Sequence, residues 1–95
     1  MLIKEAHLKF LNYLEVIKNK SQKTIEQYDR HLEKFEEYLE EKMGNSKNFK
    51  TENITLEIAE GFRSFLYEKR KNISIKTANA YMITIRSFLK FLEKK

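Results

Sequence analysis

The chain has 95 residues, which is room for one domain and no more. Its 41% hydrophobic content, with seven Phe and five Tyr, is enough for a small core, and the 35% charged residues are interleaved with apolar ones at helical spacing, which argues against disorder. There is no Cys, so disulfides and thiolate metal sites are excluded, and the net charge of +5 suits an acidic partner.

The first predicted helix covers residues 3–18, where Ile3, Ala6, Phe10, Leu14 and Ile17 recur at steps of three and four, with Leu11 beside them. Its opening, Met1-Leu2-Ile3-Lys4-Glu5, is charged too early for a secretory signal. No apolar run approaches the roughly 20 residues of a membrane span. These features lead to the expectation of a reducing, cytoplasmic setting without membrane contact.

Asn19-Lys20 breaks the chain, and Ser21 can cap a second helix over 21–43. Its stripe is Ile25, Tyr28, Leu32, Phe35 and Leu39, and Gly44 supplies the left-handed residue that ends it. Residues 45–54 read as a loop that Phe49 and Ile54 pin to the core. Thr55 caps a third helix over 55–71, with Ile58, Phe62, Phe65 and Leu66 inward. Asn72-Ile73 is the next break. Ser74 caps a fourth helix over 74–93, whose apolar face is Ala78, Tyr81, Met82, Ile85, Phe88, Leu89 and Leu92. Short connections inside the first and second pairs favour side-by-side packing, so the expected fold is all-α, a compact four-helix bundle.

Charge is unevenly spread. Residues 74–95 carry five basic groups and one acidic, whereas residues 21–43 carry four basic and seven acidic. The acidic groups collect late in the second helix, at Glu33, Glu36, Glu37, Glu40 and Glu41.

One pattern occurs twice. Ser21-Gln22-Lys23-Thr24 with Tyr28 reappears 53 residues later as Ser74-Ile75-Lys76-Thr77 with Tyr81, and each copy continues through Leu32 or Ile85, Phe35 or Phe88, and Leu39 or Leu92. A helix N-terminus has free amides and partial positive charge, so a hydroxyl and a lysine added there can hold a phosphate. Two such ends could grip two phosphates and orient the domain on a duplex. The plainer account is that Ser and Thr simply cap. Capping leaves Lys23 and Lys76 unexplained, whereas Tyr28 and Tyr81 lie in the apolar stripes and read as core.

Asn79, Ile83, Arg86 and Lys90 form a second stripe along the fourth helix. Asn and Arg can make paired hydrogen bonds to adenine and guanine edges in the major groove, and Ile can meet a thymine methyl. The plainer account is a solvated flank. Lys69-Arg70-Lys71 is a further basic run, which either offsets the dipole of the third helix or extends a basic surface, and Lys18 and Lys20 precede the first repeated start in the same way.

Ser-x-x-Thr-x-x-x-Tyr-x-x-x-Leu-x-x-Phe-x-x-x-Leu resembles the second helix of the N-terminal, core-binding domain of tyrosine recombinases, the phage integrase family. Ser74 to Leu92, with its Thr-x-Asn start and Arg-Ser-Phe centre, resembles that domain's last helix. The resemblance implies a four-helix SAM-like domain forming half of a clamp around duplex DNA. Its second and fourth helices would face the major groove, placing Lys23, Thr24, Lys76, Thr77, Asn79, Arg86 and Lys90 near DNA. It also implies that the chemistry lies in a separate catalytic domain. The chain has no His-x-x-Arg, and none of its tyrosines has the cationic neighbours a nucleophile needs, so no catalytic residue, cofactor or metal is expected.

The expectation is a DNA-binding domain cut from a longer recombinase, monomeric when isolated. Its partners would be double-stranded DNA, the catalytic domain and sister protomers on DNA. The competing reading is a helical protein-interaction module, which the acidic second helix would suit.

Overall fold

The computed structural model describes residues 1–44 and 49–94. Its element order is α1 (Ile3–Val16), α2 (Gln22–Met43), a short 3-10 turn (Thr51–Asn53), α3 (Leu56–Lys69) and α4 (Ile75–Glu93), with no strand among the described residues. The all-α, four-helix expectation holds.

The helix starts follow local chemistry. Ser21, Thr55 and Ser74 each sit in extended backbone, and each side-chain oxygen accepts the amide of the third residue on. Gly44 ends α2 in the left-handed region, with φ of 76°. Two helix ends fall short of expectation. α1 stops at Val16 because the chain turns through Asn19, at φ 52°, a conformation Asn tolerates. Ile17 therefore leaves the stripe and is 68% exposed. α3 stops at Lys69 because Arg70 is extended and the turn carries Ile73 into the core.

The core joins all four helices. Phe10 of α1, Phe35 of α2, Phe62 and Phe65 of α3, and Phe88 of α4 are fully buried. Phe10 meets Phe88 edge to face at 5.4 Å, and Phe35 meets Phe62 at 5.1 Å. Ahead of α3, an isolated bridge pairs Leu2 with Lys50, and Phe49 and Ile54 pack against the core as their apolar character suggests. The rest of that expected loop, residues 45–48, lies outside the described residues.

The core also holds polar groups that apolar periodicity misses. His7, on α1, lies between two α2 carboxylates: Nδ1 is 2.5 Å from Glu36 Oε2, and Nε2 is 2.8 Å from Asp29 Oδ1. A carboxylate can only accept, so two of them flanking the ring favour the form in which both ring nitrogens donate. Burial pulls its pKa down, but Glu36 and then Asp29 outweigh that and hold it above the ordinary value. Glu36, which the sequence groups with the acidic outer face of α2, is in fact buried. Tyr38 is buried as well, and its hydroxyl donates to Ile58 O at 2.7 Å.

The relative direction of α2 and α4 decides where the two repeated starts lie. Along α2, Tyr28 shares a groove with Ser87, Lys90 and Phe91 of α4, while His31 meets Tyr81 and Thr84. Rising positions on α2 meet falling positions on α4, so the two helices are antiparallel.

Candidate nucleic-acid interface

The two repeated starts have the same local geometry. Ser21 Oγ accepts from Thr24 N at 3.2 Å and donates to Thr24 Oγ1 at 3.0 Å. Ser74 Oγ accepts from Thr77 N at 3.0 Å and donates to Thr77 Oγ1 at 2.9 Å. Ser is thus the cap, and each Thr is half-buried and braced by it. Lys23 and Lys76 are exposed, one residue before the braced Thr.

The antiparallel pairing puts these starts at opposite ends of the α2–α4 pair. The start of α2 lies beside the last turns of α4. There Lys18 and Lys20 join Lys90 and Lys94 around a groove of about 260 Å³, which Tyr13, Tyr28 and Phe91 also line. No carboxylate of the described residues lines it. From Ser87 in this groove back to Thr77 is ten residues, or about 15 Å of helix.

Between the two ends runs the α4 stripe. Asn79, Ile83, Arg86 and Lys90 are all exposed, as their spacing predicts, with Ile83 at 53%. Lys90 belongs both to the stripe and to the four-lysine groove. Asn79 Oδ1 accepts from Arg63 Nη2 of α3 at 3.1 Å, and Arg63 lines a second groove with Glu60, Met82 and Arg86. The sequence does not single out Arg63. Nothing in its local pattern distinguishes it, because its place depends on how α3 crosses α4.

Cations divide into two sets. Among the described residues, the ion-paired lysines are Lys4, Lys34, Lys42 and Lys69, which face Glu36, Glu37, Glu68 and Glu41 respectively. The other described Lys and Arg residues have no such carboxylate partner among the described residues: Lys18, Lys20, Lys23, Lys76, Arg86, Lys90 and Lys94 near the repeated starts and on α4, Arg63 on α3, and Lys9, Arg30, Lys50, Arg70 and Lys71 elsewhere. Lys69 therefore ties α3 to α2: its hydrogen bond to Glu41 raises its pKa, and its ammonium lies 5.5 Å from the Phe65 ring centre. Arg70 and Lys71 remain exposed.

Comparison with known proteins identifies the family. The family described as phage integrase, N-terminal SAM-like domain, matches residues 8–95. A protein named tyrosine recombinase XerC from Staphylococcus haemolyticus is 29% identical over 89 residues, which are 94% of this chain and 28% of that protein. The chain therefore spans less than a third of the relative's length. No solved structure matches the chain significantly.

Proposed function

The chain belongs to the phage integrase N-terminal SAM-like family, and from that premise we propose that it binds duplex DNA through the first turns of α2 and α4 and the exposed stripe of α4. The observation that carries this reading is that the cations of this surface are not neutralised by carboxylates of the described residues. Lys18, Lys20, Lys23, Lys76, Arg86, Lys90 and Lys94, at the two repeated starts and along α4, have no ion pair to a carboxylate of the described residues, so phosphates can take that place; Lys9, Arg30, Lys50, Arg70 and Lys71 are likewise without one.

The antiparallel pair suits this role. Anchors at opposite ends of the pair, with the exposed stripe of α4 between them, suit phosphates on the two sides of a major groove. Lys23 with Thr24, and Lys76 with Thr77, are the phosphate anchors. Asn79, Ile83 and Arg86 lie between them and face base edges, and Lys90 reinforces the α2 end. The chain is then the DNA-binding part of a cytoplasmic tyrosine recombinase, and its partners are a catalytic domain and sister protomers.

The alternative, a protein-interaction module, draws on the acidic face of α2. That face is largely occupied internally. Glu36 is buried on His7, Glu37 pairs with Lys34, and Glu41 pairs with Lys69.

The test is duplex binding at low and moderate salt. Binding should be weak and should fall steeply as salt rises. Changing Lys76, Thr77 and Arg86 together to Ala should abolish it with helicity unchanged by circular dichroism. Undiminished binding by the folded triple variant would rule out this surface.

A further inference from the structure

We propose that Arg63 is a positioning residue for DNA recognition, holding the Asn79 side-chain amide in one of its two flips so that it presents a fixed donor to the base edge. The proposal rests on the DNA-binding reading above. It adds a residue from α3, a helix that neither the repeated pattern nor the α4 stripe includes.

The chemistry at the contact is unambiguous about orientation. A guanidinium has only donors, so the Asn79 atom 3.1 Å from Arg63 Nη2 must be the amide oxygen. An exposed asparagine without this partner flips freely and offers either its oxygen or its NH₂ to a base. With the oxygen tied to α3, the NH₂ takes the opposite side of the amide plane. The oxygen keeps a second lone pair. The fixed amide can therefore donate to a purine N7 and accept from adenine N6, the paired contact that singles out adenine. The flipped amide would invert that pattern.

The surroundings leave Arg63 available for this task. Glu60 lines the same groove, yet no ion pair forms between it and Arg63 among the described residues. Arg63 and Asn79 lie on different helices, so the bond spans the α3–α4 crossing. Arg86 lines the groove beside Arg63, and both Asn79 and Arg86 belong to the exposed stripe of α4.

The experiment selects bound sequences from a randomised duplex pool, using the wild-type chain and the variants Arg63→Ala, Arg63→Gln, Asn79→Ala and Arg63→Ala/Asn79→Ala. Wild type should favour one base, expected to be adenine, by about tenfold or more at one position. Asn79→Ala and Arg63→Ala should each erase that preference, and the double variant should lose no more than either single one. Arg63→Gln keeps an N–H donor but no charge, so it should retain the preference while binding all sequences less tightly. A uniform loss of affinity in Arg63→Ala with the base preference intact would overturn the proposal, leaving Arg63 a phosphate contact. A wild-type chain that binds without base preference would overturn it too. A wild-type chain that binds no duplex at all would instead remove the DNA reading beneath it.

Discussion

His31 and Thr84 hold the same place in the two copies of the repeated pattern, and they touch: His31 Nδ1 lies 2.7 Å from Thr84 Oγ1, across a sequence separation of 53. Thr84 Oγ1 itself donates to Ala80 O at 3.3 Å, so it accepts from His31 and the histidine proton is on Nδ1. The ring lies against Tyr81, tilted by 31°, with centroids 4.1 Å apart. Two copies of one pattern thus cross at their own midpoints. That is why the repeated starts diverge to opposite ends of the pair instead of lying side by side.

This contact makes His31 an acid-sensitive site. Burial, and secondarily Arg30, lowers its pKa to about 4. The unfolded value is about 6.5. The folded state prefers neutral His31, so its contribution to stability is fully present above pH 6.5 and is lost as pH falls toward 4, by up to about 3 kcal/mol. Denaturant melts of wild type and His31→Gln across this range should show wild type losing stability faster on acidification. Parallel curves would contradict the neutral, buried assignment.

How far the sequence foretells these features depends on whether their causes are local. Ser21, Thr55, Ser74 and Gly44 are readable as caps because capping needs only neighbouring backbone. Phe10, Phe35, Phe62 and Phe88 are readable as core because helical period alone sets their face. Ile17 and Ile73 depart from expectation in opposite directions, since the turn decides which one enters the core. His7, His31, Tyr38 and Thr84 escape a sequence reading because each is buried only through a partner on another helix. The candidate DNA residues are legible as a repeated start and a stripe. The antiparallel arrangement and the Arg63–Asn79 bond are not, because both depend on tertiary crossing.

His7 should behave oppositely to His31. Its folded pKa is raised, so its stabilising contribution is fully present below about pH 6.5 and is lost as pH rises through the folded value. The stability gap between wild type and His7→Gln should narrow as pH is raised above neutrality. A gap that widens with rising pH would mean that Glu36 and Asp29 do not hold the imidazolium.

Gly61 and Tyr38 form a coupled pair. A Cβ at Gly61 would fall 2.5 Å from Tyr38 Oη, but 3.6 Å from the ring carbon that bears it. Gly61→Ala should therefore destabilise the chain, despite the roughly 1 kcal/mol that Ala gains over Gly inside a helix. With Tyr38→Phe already in place the obstruction is gone, and the same change should become stabilising by about that amount. Thermal melts of the two single variants and the double variant measure this reversal of sign. Equal effects in both backgrounds would show that the hydroxyl is not what excludes a side chain at Gly61.

DNA binding through the two repeated starts is tested most directly by a backbone amide chemical-shift titration of the labelled chain with duplex DNA. Shifts should concentrate at residues 21–24 and 74–77 and along α4 from Asn79 to Lys90. The face of α2 carrying Glu33, Glu37 and Glu41 should be silent. Silence at both repeated starts, with shifts on that acidic face, would contradict the proposed binding surface.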